Sequence, residues 1–148
     1  MPCSRVRKAA SLSTHSVISV IDDDATVRTG TNNLLSSHGY RVHTFGSAEE
    51  FLQSACLNDS SCVIADVQMS AMSGLDLLAH MRTHGCGTPV IFITAFPEAS
   101  VRARALKAGA ICFLAKPFAG SALINCVEAA LNRDKSETGE QGDEGGAS

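Results

Sequence analysis

Four short stretches of this chain carry side chains that could do chemistry together. Asp22, Asp23 and Asp24 follow the apolar run Val17-Ile18-Ser19-Val20-Ile21, and Asp66 follows Cys62-Val63-Ile64-Ala65. Thr94 closes Pro89-Val90-Ile91-Phe92-Ile93, and Lys116, just before Pro117, follows Ile111-Cys112-Phe113-Leu114-Ala115. Clustered carboxylates raise one another's pKa unless a cation is near. A hard divalent cation with oxygen ligands removes that cost, and Mg²⁺ typically takes one or two carboxylates, waters and a phosphate oxygen. A lysine beside acids stays protonated and suits phosphate oxygens as a point charge. A protein carboxylate can attack phosphorus and form an acyl phosphate. Positioning and charge neutralisation supply most of the catalysis in such transfers. All of this requires that the four stretches meet in space.

The elements between them say that they do. Each chemical residue ends a short apolar run bounded by breakers, which reads as a buried strand. Tyr40 to Phe45 alternates and reads as a further strand, next in order after the first. Helical spacing fills the gaps. Val27, Thr31, Leu34 and Leu35 share a face over 25–38, with Asp24 as the N-cap and Gly39 as the stop. Ser47-Ala48-Glu49-Glu50 is a capping box that opens a helix to about Leu57. Helices are also predicted after Gly74 with Leu75, Leu78 and Ala79 inward, over 98–108, and over 119–131 with Leu123, Val127 and Leu131 inward. Strand and helix alternate five times, so the fold class is α/β, a doubly wound five-stranded parallel sheet flanked by five helices. Ligands bind such sheets outside the carboxyl ends of the strands, where these acids, the hydroxyl and the ammonium stand.

The chain has 148 residues, enough for one domain, and it carries no Trp and one Tyr, so the core must be aliphatic. The net charge is −3 with no face-sized basic cluster, which argues against nucleic-acid binding. Residues 1–16 are small and polar and read as a disordered leader, and 133–148 as an acidic, Gly-rich disordered tail with the look of a natural end. The structured domain is read as 17–132. Six scattered cysteines without C-x-x-C spacing suit a reducing, cytoplasmic setting. No apolar run reaches membrane-span length, and no apolar stretch follows the basic start as a secretory signal would require.

Taken together, Val17 to Asp24, Ala65-Asp66-Val67-Gln68-Met69 with Met72-Ser73-Gly74-Leu75-Asp76, Val90 to Ala95, and Leu114-Ala115-Lys116-Pro117-Phe118 resemble the receiver domain of bacterial two-component response regulators. The resemblance covers about residues 17 to 132 and is nearest to receivers of the nitrogen-fixation and nitrate-response type. It implies a flavodoxin-like sheet in the order 2-1-3-4-5 and a phosphorylation-switched signalling module rather than an enzyme with a separate substrate. Asp66 would be the phosphoacceptor. Asp23 would bind Mg²⁺ directly, Asp22 would help through water, and Asp66 and the backbone carbonyl of Gln68 would complete the protein ligands. Thr94 would bond the phosphoryl oxygens, Lys116 would pair with them, Phe113 would change rotamer, and the Lys116–Pro117 bond would be cis. A sensor histidine kinase or phosphotransfer protein would be the donor. Output would be a protein target or a second copy docking on the face of helix 4, strand 5 and helix 5. Two departures stand out: Ser70 replaces a usual Pro, and the sequence reaches Ser148 without the helix-turn-helix domain that members of this subgroup usually carry after a linker.

Blander readings exist for each residue alone. The Asp triplet could be a solvated helix start, Asp66 a turn acid, Thr94 a β-former, and Phe113 a core residue. A hydrolase with an aspartyl-phosphate intermediate would want a second acid two residues after the nucleophile, where Gln68 stands. A flavin or nucleotide carrier would want a phosphate-binding loop after the first strand, where three acids stand. A pseudo-receiver would not need all the acceptor, metal and lysine positions filled.

Overall fold

The computed structural model describes residues 16–54, 59–69 and 71–138, with side chains as far as residue 132. Strands and helices alternate: β1 (Val17–Ile21), α1 (Ala25–Ser37), β2 (Arg41–Phe45), α2 (Ala48–Leu52), β3 (Cys62–Asp66), α3 (Gly74–Thr83), β4 (Val90–Thr94), α4 (Ala99–Lys107), β5 (Cys112–Ala115) and α5 (Gly120–Thr138). All strand pairs are parallel, and the sheet order is β2-β1-β3-β4-β5. This is the doubly wound architecture that the alternation of elements predicts.

Every residue of β3 and β4 is buried, as is all of β1 after Val17. Strands covered on both faces can be apolar throughout, which is why these runs do not alternate. One core cluster joins Ile21, Val63, Ala65, Phe92 and Phe51 to Leu77, Leu78 and Met81 of α3. The other joins Ile18, Val20, Ile64, Ile91 and Ile93 to Leu35 of α1 and Leu123 and Val127 of α5. The helices therefore cover both faces of the central strands, while the edge strand β2 stays largely exposed.

The predicted inward face of α3 needs correction. Gly74, Leu77, Leu78 and Met81 are buried, Leu75 is half-buried and Ala79 is exposed. Ser73 sets this phase by accepting the Asp76 amide while Asp76 receives the Ser73 amide, a capping box not read from the sequence. The box at Ser47 is partial: Ser47 accepts from the Glu50 amide, but Glu50 reaches back one residue further, to Gly46 N. α2 ends at Leu52 rather than near Leu57, and residues 55–58 lie outside the described residues. α5 continues past the boundary at 132 to Thr138, since no glycine interrupts the chain before residue 139. Residues 1–15, Ser70 and residues 139–148 lie outside the described residues, so the leader, most of the tail and the Ser70 departure have no structural counterpart here. Among the described residues no helix is long and apolar enough to cross a membrane.

Candidate functional site

Three strand ends use one local device. Asp22 Oδ1 accepts the Asp24 amide at 2.9 Å, Asp66 Oδ1 accepts the Gln68 amide at 2.9 Å, and Thr94 Oγ1 accepts the Phe96 amide at 3.0 Å. A side-chain oxygen that accepts the N–H two residues on turns the chain at the sheet edge. For the two aspartates it also occupies one oxygen and leaves the other to face the crevice. Those two remaining oxygens meet Lys116, whose Nζ donates to Asp22 Oδ2 at 3.0 Å and to Asp66 Oδ2 at 2.8 Å. Lys116 is held in turn by its own amide, which donates to the Thr94 carbonyl at 2.7 Å, and the Lys116–Pro117 peptide bond is cis.

The charges are enclosed. Asp22 is fully buried and Asp66 is 5 % exposed. Burial raises the Asp22 pKa above the ordinary carboxylate value, with the Asp66 charge adding to it; the Asp24 amide and Lys116 offset only part of this. Burial alone would lower the Lys116 pKa, but its hydrogen bonds to Asp66 and Asp22 outweigh that and hold it above the usual lysine value. The lysine is therefore a standing positive charge, while Asp22 is under electrostatic stress.

Asp22, Asp23 and Asp66 each offer a carboxylate oxygen, and these oxygens lie within 4.8 Å of one another. Three acids against one ammonium leave a net negative, oxygen-only pocket, with Asp23 at its exposed rim. That donor set fits a hard divalent cation and not a soft one, so the residues present suit Mg²⁺.

The sequence-predicted residues fall into three groups. Asp22, Asp23, Asp66 and Lys116 converge directly. Thr94 is fully buried and joins them through Gln68, whose side-chain Oε1 accepts its hydroxyl proton. Phe113 is half-buried, pairs with Phe92 in register and packs on the α2–α3–α4 side of the core, in keeping with its blander reading. Asp24 caps α1 by accepting the Thr26 amide.

Two contributors escaped the sequence reading. Arg28 Nη1 donates to the Asp22 carbonyl at 2.7 Å and pins the acidic turn to α1. Gly74 is forced by proximity, since a Cβ there would lie 2.6 Å from the Asp66 carbonyl and 2.9 Å from the Phe92 ring. Neither leaves a local signal, because both partners lie elsewhere in the chain.

The chain resembles known proteins in sequence and in fold. Residues 18–128 match the family described as response regulator receiver domain. The chain is 39 % identical over 123 residues to nodulation protein W of Bradyrhizobium diazoefficiens, across 83 % of this chain and 54 % of that protein. It is also 39 % identical over 126 residues to the transcriptional regulatory protein FixJ of Azorhizobium caulinodans, across 85 % of this chain and 59 % of that one. The chain thus spans little more than half the length of these curated relatives. A crystal structure of a response regulator receiver domain protein from Clostridium thermocellum superposes with a TM-score of 0.76 at 32 % identity, covering 81 % of this chain and 97 % of that one. With its sheet order, its acidic strand ends and a family match over most of its length, this chain belongs to the response regulator receiver domain family.

Proposed function

We propose that this signalling module accepts a phosphoryl group on Asp66 in a Mg²⁺-dependent reaction, from a sensor histidine kinase or phosphotransfer protein. The observation that carries the reading is the Asp66 carboxylate. It is buried at a strand end, its two oxygens are fixed by the Gln68 amide and the Lys116 ammonium, and Asp22 and Asp23 lie within reach. An Asp66 oxygen forms a bond to phosphorus as the bond from phosphorus to the donor's nitrogen breaks, and that electron pair stays on the donor. Mg²⁺ held by Asp22, Asp23, Asp66 and the Gln68 carbonyl would neutralise the negative charge that gathers there. Lys116 pairs with the phosphoryl oxygens as a fixed cation. Thr94 gives its hydroxyl proton to one of them and Phe113 follows inward, which alters the face of α4, β5 and α5. A protein target or a second copy of the chain reads that face, in the cytoplasm. The working unit begins at residue 17 and runs through α5, past the boundary at 132.

Acetyl phosphate with Mg²⁺ tests this, read by intact mass. An Asp66 oxygen displaces acetate, so wild type gains one phosphoryl mass. Asp66→Ala gains nothing, and neither does wild type with chelator. Correctly folded wild type that gains no mass with Mg²⁺ present overturns the self-catalysed reaction.

A further inference from the structure

Thr94 has a single hydroxyl proton, and in this structure Gln68 Oε1 holds it. The same oxygen of Thr94 accepts the Phe96 amide at 3.0 Å. Gln68 is itself tethered beside the acceptor, its amide donating to Asp66 Oδ1 at 2.9 Å. A chain of three bonds therefore runs from the Phe96 amide through Thr94 and Gln68 to Asp66. A proton committed to Gln68 cannot also be given to a phosphoryl oxygen on Asp66. We infer that the Gln68 side chain is a latch that holds Thr94 in the unphosphorylated arrangement, and that it must let go for the phosphoryl group to be stabilised.

This inference rests on the proposed phosphorylation of Asp66 and adds a positioning residue to it. Gln68 acts through Thr94, not on phosphorus. Its side chain is exposed while Thr94 is fully buried, so the latch can open to water without moving the core. Release has a second consequence. When Thr94 turns toward Asp66, the Phe96 amide loses its acceptor, and the β4–α4 loop that carries Phe96, a residue 64 % exposed, must follow. The bond count thus links the acceptor to a surface aromatic through two side chains.

Four proteins decide it: wild type, Gln68→Met, Thr94→Val and the double variant. Met keeps the length of the side chain and the backbone amide at 68 but cannot accept the hydroxyl proton well. Urea unfolding of the unphosphorylated proteins reads the bond without any phosphoryl chemistry, and a non-zero coupling between the two positions is expected. Charging by acetyl phosphate with Mg²⁺ then reads the latch. Gln68→Met should charge roughly three- to tenfold faster than wild type, the size of one hydrogen bond. In the Thr94→Val background the same substitution should change nothing. Zero coupling in urea overturns the latch, and so does an acceleration that persists without the Thr94 hydroxyl, which would place Gln68 directly on the transfer. Coupling in urea with no charging by any of the four overturns the phosphorylation reading, and the latch's role in it.

Discussion

Ile64 and Asp66 stand two residues apart on β3 and are buried almost equally, at 0 % and 5 % exposure. Ile64 belongs to the aliphatic cluster shared with Ile18, Ile91 and Leu123. Asp66 shares its space with a second carboxylate and an ammonium. The same pairing recurs at Val20 on β1 and Asp22 just past its end, both fully buried. In the middle of the sheet burial is favourable, at about 25 cal/mol for each Å² of apolar surface removed from water. At its carboxyl edge burial costs free energy that fixed hydrogen bonds only partly return. The apolar middle holds the charged edge in a crowded state it would not adopt alone.

Substitutions in the middle should cost stability and spare the chemistry. Ile64→Ala is expected to lose about 2–5 kcal/mol in urea unfolding, as for other fully buried large-to-small changes. The folded fraction should still take phosphate at the wild-type rate. A loss of charging per folded molecule would show that the two regions are not separable at this distance. Gly74→Ala strikes where they touch, because the new Cβ would collide with the Asp66 carbonyl and the Phe92 ring. The expected penalty is about 1–3 kcal/mol, typical of overpacking. Here charging should slow as well, since the backbone that must yield is that of Asp66, the proposed acceptor.

The two regions also differed in what the sequence disclosed. The middle was legible as runs of β-branched residues, and the edge as acids and a lysine at the ends of those runs. Even the turn device left a trace, since an Asp or Thr after a buried strand is a known turn former. The phase of α3 was not legible. Residues 74, 75, 77, 78, 79 and 81 are all small or apolar, so spacing alone admits more than one buried face, and the Ser73 cap decides between them. The bonds from Arg28 to the Asp22 carbonyl and from Thr94 to Gln68 depend on how elements pack, as does the close approach at Gly74. Gly30 has open space at its Cβ position, and no packing demand accounts for it.

That cap gives a smaller and cleaner test of the separation. Ser73→Ala removes the acceptor for the Asp76 amide and should cost about 1 kcal/mol. The hydrogen bonds of Ser73 run to Asp76 and Leu77 of its own helix, so charging by acetyl phosphate should be unchanged. Slower charging would mean that the start of α3 helps to place the loop after Asp66.

The smallest expected effect bears most directly on the stress at the edge. The folded-state pKa of Asp22 lies above its model-peptide value of 3.8, chiefly because the carboxyl is buried. The folded protein therefore keeps a proton there that the unfolded chain releases. Its stabilising effect is present at low pH and is lost as pH rises from 3.8 through the folded value. Asp22→Asn has no such proton to lose. In metal-free buffer the stability of wild type relative to Asp22→Asn should therefore fall across that window and then level off, and titrating groups that do not interact with Asp22 cancel in the difference. Adding Mg²⁺ at neutral pH should raise the stability of wild type relative to Asp22→Asn, because a cation held by the proposed site would stabilise the folded wild type by mass action, and the variant less so. Parallel pH curves for the two proteins would mean that Asp22 is as well solvated by its turn and by Lys116 as it would be in water. The edge would then impose no stress on the sheet that holds it.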